Sequence, residues 1–346
     1  MKHVFVAMAL LTLAQDPRPA PGPHTVATLE YPDFADAARG NRTVPIKVHY
    51  PKGDGRHPLA IYSHGGAGNW DAHLHEAAHL ASHGYIVLCV EHVCSNTSKV
   101  QELIKAGKGT VKERLQEALR KIVSHPDAVL GRPKDISFAI DRAVEWNEKH
   151  AILKGRIDTS KIAVLGHSFG AYTTLVACGA RPILDHLDPK VEPGSGLAPD
   201  LSDARITIGV AMSPQGVKTS RFGPESFKSL NRPILAFSGT KDTELAHDGK
   251  EAPPEDRLEG FKLWPEGGKV LLWLENADHF SFADNPKSGL FPSAAREDAM
   301  RIVKEMTRLF LDWKLKGLDE AKTAFTAKHV DELLGKVVTR VTWNER

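Results

Sequence analysis

Three cysteines are too few and too scattered to build a disulfide framework in a chain of 346 residues. Cys89 sits in the apolar run YIVLCV and Cys178 in an apolar helix-like stretch, so both are expected as small buried hydrophobes. Cys94 falls in a loop and is open to pairing or to staying free. An excess of one charge is missing too. Lys and Arg number 45 against 43 Asp and Glu, a formal balance of +2 that leaves no electrostatic footprint for nucleic acid. The densest basic stretch, residues 105–121, is interleaved with Glu and Leu and is expected as a solvated amphipathic helix. Internal repeats and low-complexity tracts are absent. No apolar run reaches the ~20 residues that a bilayer-spanning helix needs, so no integral membrane segment is expected in the mature chain.

What is present begins at the N-terminus with MKHVFVAMALLTLAQDPRP. Lys2, the apolar run over 4–14 and the polar, proline-rich sequence after it match the three parts of a secretory signal peptide. Cleavage is expected after Ala14, which makes the protein secreted or periplasmic. The cysteines neither support nor exclude export. Residues 15–28 are a Pro/Ala-rich lead-in, and 29–346 are expected as one domain.

Within that domain TVPIKVHYP alternates apolar Val44, Ile46, Val48 and Tyr50, the pattern of a strand with one buried face. PLAIYSHG, YIVLCVEH, KIAVLGHS, ITIGVAMSP, PILAFSG and VLLWLENA are short and nearly continuous apolar runs, as expected for strands covered on both faces. Amphipathic stretches such as DISFAIDRAVEWNEKH lie between them. The predicted class is therefore α/β, with a mostly parallel central sheet and helices on both faces. Insertions at 95–132 and 183–203 follow strand ends, the edge where such sheets place their sites. Both are expected as walls over a substrate or as passive surface loops.

KIAVLGHSFGAYTTL carries G-x-S-x-G at the end of one of these strands and just ahead of a helix-forming stretch. The turn requires small residues at Gly166 and Gly170 and pushes the hydroxyl of Ser168 outward, with His167 beside it. A serine hydroxyl becomes a nucleophile only when a base takes its proton and an acid orients that base. Asp242, after PILAFSGTK, and His279, after VLLWLENAD, arrive in the order acid then histidine, each at a strand tip. In IYSHGGAGN the backbone N–H of Gly66, together with that of Phe169, is the expected oxyanion hole, and His64 is expected to brace the loop.

From Asp36 to Lys316 the chain resembles the α/β-hydrolases grouped with predicted dienelactone hydrolases and platelet-activating-factor acetylhydrolases. VPIKVHYP, YSHGGAGN, ASHGYIVLCVEH, RPKDISFAID, GHSFGA, FSGTKD and ENADHFSF carry the resemblance. It implies an α/β-hydrolase fold and a serine hydrolase that acts on a small-molecule or polymeric ester without a cofactor. Two departures matter. Dienelactone hydrolases use a cysteine nucleophile where this chain has Ser168, and the acetylhydrolases carry their acid after the next strand, where this chain reads MSPQG. The second departure favours Asp242 and weakens the case for phospholipid specificity.

Other classes stay in view. A peptidase or amidase would use the same acyl-enzyme route, and a non-catalytic binding protein could keep the fold. HLHEAAHLASH contains His75-Glu76-Ala77-Ala78-His79, the H-E-x-x-H pattern of zinc peptidases. On a helix, Leu74, Ala77, Ala78 and Ala81 would form the stripe packed on the sheet. His75, His79 and His83 would then face solvent, so no metal site is expected.

Overall fold

Six continuous apolar runs become strands because neighbouring elements cover both of their faces. The computed structural model describes residues 19–219, 221–245, 251–284 and 292–346. Its main sheet has nine strands: β1 (Val26–Tyr31), β2 (Ile46–Pro51), β3 (His57–Ser63), β4 (Ile86–Val90), β5 (Ile157–His167), β6 (Ile206–Met212), β7 (Ile234–Lys241), β8 (Lys269–Asp278) and β9 (Val341–Glu345). Their spatial order is β1-β2-β4-β3-β5-β6-β7-β8-β9. The strands from β4 to β8 in that order are parallel. The β1–β2, β2–β4 and β8–β9 pairs are antiparallel. The mostly parallel α/β sheet is as expected from the sequence.

Side chains alternate across each strand, so one strand feeds two cores. On β3, Leu59 and Ile61 join one apolar cluster, whereas Ala60 and Tyr62 join the other. The first cluster is completed by α5 (Gly131–Lys149) and α6 (Phe169–Ala177), and the second by α1 (Leu74–Ser82) and α8 (Arg296–Leu311). Both faces are therefore helical, with the termini of the parallel strands free to carry loops. Among the described residues no helix is long and apolar enough to cross a membrane.

Two local readings need adjustment, and one strand has none. β1 starts at Val26, inside the segment expected as lead-in, because its backbone pairs with β2 from Val26↔Pro51 to Tyr31↔Ile46. β2 is covered on both faces, not one: His49, on the face expected to be polar, is 2% exposed beneath α1. Burial pushes its imidazole down to about 4, so it packs as a neutral ring. β9, a short strand with one exposed face, carries no run that predicts it. The signal-peptide segment 1–14 lies outside the described residues.

The insertion over 95–132 folds as α2 (Thr97–Ala106), α3 (Val111–Ser124) and α4 (Pro126–Val129). The α3 N-terminus has a reciprocal cap: Thr110 Oγ1 accepts from Glu113 N at 3.3 Å, and Glu113 accepts from Thr110 N at 2.7 Å. Val100, Ala118 and Ile122 give the α2–α3 pair a small core of its own. Helix α7 (Glu255–Phe261) follows β7 and brings Arg257 under the site.

Candidate active site

Ser168 stands between β5 and α6 with φ 58° and ψ −119°, a conformation that side chains other than glycine rarely adopt. The crowding around it explains both glycines. A Cβ on Gly170 would lie 1.9 Å from the Ser63 carbonyl oxygen, and one on Gly166 would lie 2.4 Å from the Gly170 carbonyl carbon. The turn is fixed from outside as well, since Ser168 N–H donates to the Met212 carbonyl on β6 at 2.9 Å.

The three strand-end residues meet. Ser168 Oγ lies 2.8 Å from His279 Nε2, and His279 Nδ1 lies 2.9 Å from Asp242 Oδ1. With the Nδ1 proton donated to the carboxylate, Nε2 is the lone pair facing the hydroxyl. Asp242 is fully buried, and its second oxygen accepts from Ser238 Oγ at 2.8 Å. Burial by itself would raise its pKa. The Arg257 charge and the His279 contact outweigh that and hold the carboxyl well below the usual carboxylate range. His167 donates from Nε2 to the His279 carbonyl at 2.9 Å, so the elbow also fixes the loop that carries the imidazole. Burial keeps His167 itself far below its ordinary pKa and neutral.

Gly66 and Phe169 line the same cavity as Ser168 and His279. The loop of Gly66 and the start of α6 are bolted together from behind by Arg132, which is fully buried. Arg132 donates to Thr173 Oγ1 at 2.9 Å, Ser95 Oγ at 2.7 Å and Ser63 Oγ at 3.0 Å, and also to the His64 carbonyl. Its guanidinium carbon sits 4.5 Å from the centre of the Phe169 ring. Burial pushes Arg132 down to about 10, which leaves it charged at neutral pH. His64 accepts from the His92 backbone N–H at 2.9 Å through Nε2, leaving Nδ1 to bond the Gly65 carbonyl at 2.6 Å. It is a brace for this loop.

The cavity encloses about 290 Å³. Leu115, Leu119 and Val123 on α3 make one apolar wall, and Arg221, Glu244 and Gln215 belong to the polar side. The insertion over 95–132 therefore does wall the site. The stretch 183–203 does not: Leu184 and Leu187 turn into the core, and Asp188 N–H braces the end of α3 through the Ser124 carbonyl at 3.0 Å. Its proline and glycine content signalled a loop without telling which way the loop packs.

The zinc-like helix is also turned relative to expectation. Ala77 and Ala81 are buried as expected, but Leu74 is 38% exposed and His79 only 8%, while Glu76 is 2% exposed. Leu80 takes the inner position that Leu74, at the helix start, does not reach. Glu76 Oε2 contacts His73 Nδ1 at 2.7 Å, so the carboxylate is engaged inside the protein, and the Glu76 backbone N–H donates to Asp284 Oδ2 at 2.8 Å. Burial, with a nearby His83, pushes His79 down to about 3. Among the described residues no group of three or more His, Cys, Asp or Glu side chains is placed to hold a metal ion. The three cysteines are free, and Cys94 Sγ accepts from Arg42 Nη2 at 3.2 Å.

The sequence model of platelet-activating factor acetylhydrolase, isoform II, matches residues 34–120 and 96–181, a region that ends just past the elbow. The platelet-activating factor acetylhydrolase of Cavia porcellus is 28% identical over 262 residues, covering 71% of this chain and 52% of the relative. That of Canis lupus familiaris is 30% identical over 158 residues, covering 40% and 36%. That of Bos taurus is 28% identical over 163 residues, covering 39% and 35%. The chain belongs to the α/β-hydrolase superfamily. The matches span about half or less of the length of these relatives.

In this α/β-hydrolase the MSPQG segment after β6 has a different task from holding an acid. Gln215 Nε2 donates to the Ser168 carbonyl at 2.9 Å and so braces the elbow. Gln215, Arg132, Arg221, Glu244 and Arg257 are the site residues that sequence reasoning missed. Their partners lie many residues away along the chain, and no local pattern marks a charged side chain that folds inward.

Proposed function

We propose that this α/β-hydrolase cleaves carboxylic esters through an acyl-enzyme formed on Ser168. The observation that carries the reading is the unbroken chain Ser168 Oγ, His279, Asp242, at 2.8 and 2.9 Å, opening on the cavity walled by α3. In this reading His279 takes the hydroxyl proton as Ser168 attacks the carbonyl, and the backbone N–H groups of Gly66 and Phe169 bind the developing oxyanion. Asp242 holds the imidazole and stabilises its charged form. The alcohol leaves with the proton from His279, and water repeats the steps to release the acid. The substrate reading is an ester of a short acyl chain. A cavity of about 290 Å³ and the name of the acetylhydrolase relatives both support it. Export to the periplasm or medium belongs to the proposal and is supported by the N-terminal pattern alone; a mature N-terminus at Gln15 is the expected result of sequencing the exported protein.

A fluorophosphonate probe on wild type and Ser168→Ala tests the chemistry. Labelling should map to the peptide around Ser168 and vanish in the variant, whose kcat should fall on the order of 10⁶-fold. A variant that keeps a tenth of the activity sinks the assignment.

A further inference from the structure

The acid of the site is not held by its strand alone. Arg257 reaches it from α7 with a fully buried side chain. Its Nε donates to the Asp242 backbone carbonyl at 2.9 Å, and Nη2 to the Thr243 carbonyl at 3.0 Å, so it grips the loop after β7. Its Nη1 donates to the carbonyls of Ser213 at 2.9 Å and Pro214 at 2.6 Å, gripping the loop after β6. The same Nη2 stands 2.9 Å from Asp242 Oδ1 and 3.3 Å from His279 Nδ1. Glu244 Oε2, at 3.4 Å, offsets part of the charge on the far side. One guanidinium therefore joins two loops at the very point where carboxylate and imidazole meet.

Most of these contacts are to carbonyls, which a carboxylate partner does not require. A buried arginine that only neutralised Asp242 would need one face of its fork. Here the remaining nitrogens fix the backbone on both sides, so the carboxylate cannot rotate away from Nδ1 without breaking several bonds. The competition at Nδ1 also has a clear winner, since the charged oxygen is the nearer partner at 2.9 Å. That arrangement leaves the Nδ1 proton on the acid side and the Nε2 lone pair toward Ser168.

We propose that Arg257 is a positioning residue of this site, acting through Asp242 to hold His279 in the proton-accepting orientation toward Ser168. The inference rests on the reading of Ser168, His279 and Asp242 as a catalytic triad. A fork is needed, because lysine presents one nitrogen and cannot reach both loops and the carboxylate together.

The test is a double-mutant cycle on ester hydrolysis with Arg257→Met, Asp242→Asn and the pair, alongside Arg257→Lys, each checked for folding by circular dichroism and melting. Arg257→Met should lower kcat about 10²-fold, the cost of a small misplacement, and leave KM within about threefold. Arg257→Lys should recover part of that loss. In the Asp242→Asn background the same Arg257→Met change should cost less than about threefold, because its route to the imidazole is already gone. An equal loss in both backgrounds, or a folded Arg257→Met enzyme with wild-type kcat, overturns the inference. Should Arg257→Met fail to fold, the comparison of Asp242→Asn with the pair, which removes both charges, and the Lys variant still decide it. Wild-type protein that takes no fluorophosphonate label overturns the triad reading and this inference with it; a labelled wild type with an additive cycle overturns this inference alone.

Discussion

Replacing Arg132 by methionine separates stability from activity in a way the geometry fixes in advance. Among the described residues no carboxylate pairs with this guanidinium, although it is fully buried. Taking an unpaired charge out of water costs several kcal/mol, and methionine of similar length recovers that cost. Against it stand the lost contacts. The Ser63 hydroxyl keeps His92 Nε2 at 2.9 Å, and the Thr173 hydroxyl keeps the Phe169 carbonyl at 2.9 Å. The His64 carbonyl loses its arginine donor, worth about 1–3 kcal/mol for a buried acceptor left unpaired. The cation over the Phe169 ring adds about 1–2 kcal/mol. The two sides nearly cancel, so unfolding in urea should shift by less than about 2 kcal/mol. Activity has no such offset. Arg132 bolts the Ser63–His64 backbone ahead of Gly66 and touches Phe169, the two sources of oxyanion N–H groups in the proposed mechanism. Loss of about 10²–10³ in kcat, the worth of one donor, is the expected result. A variant destabilised by more than about 4 kcal/mol with kcat intact would refute the reasoning, because it would make Arg132 a stabiliser with no part in the site.

Three further outcomes follow from other parts of the molecule. Asp135 is held down to about 2: burial opposes ionisation, but the bonds from His92 at 2.9 Å and Arg42 at 2.7 Å outweigh it. Its folded pKa lies below the unfolded value, so its contribution is complete above pH ~4 and fades as pH falls toward 2, a loss of about 2 kcal/mol over that window. Urea midpoints should show Asp135→Asn clearly weaker than wild type at pH 6 and the gap narrowing by pH 2; a constant gap contradicts the assignment. Leu119→Trp fills the apolar wall and should lower kcat/KM for butyrate relative to acetate esters by about tenfold or more, whereas an unchanged ratio would place the acyl chain elsewhere. His75→Ala and treatment with EDTA should both leave ester hydrolysis unchanged, and a loss restored by zinc would reopen the H-E-x-x-H reading.

The parts of this molecule legible in its sequence are those where one local pattern decides the outcome. Strands β3 to β8 announce themselves because burial on both faces demands continuous apolar residues, and Ser168, Asp242 and His279 each follow such a strand directly. β1 and β9 lie at the sheet's edges, where one face meets water and the apolar signal halves. The α1 helix misled for a related reason. Its inner face carries Glu76, whose carboxylate meets His73, and His79, which burial keeps neutral, and a count of apolar positions cannot anticipate either. Arg257 is the extreme case. It sits 15 residues from Asp242 and 44 from Ser213, in a short helix, EDRLEGF, where charged residues outnumber apolar ones.

The last strand carries a consequence for handling the protein. β9 pairs with β8 from Leu274↔Val341 to Val270↔Glu345, and Lys269 and Arg346 exchange backbone bonds at 3.1 and 2.9 Å. Five residues thus act as a stopper on the flank of a strand built from Val270, Leu271, Leu272 and Leu274. Cutting the chain before Val341 would remove none of Ser168, His279 and Asp242 and yet bare a row of unpaired N–H and C=O groups beside an apolar ribbon, an invitation for another copy to dock there. A truncated protein should therefore be lost first from solution and only afterwards from the assay.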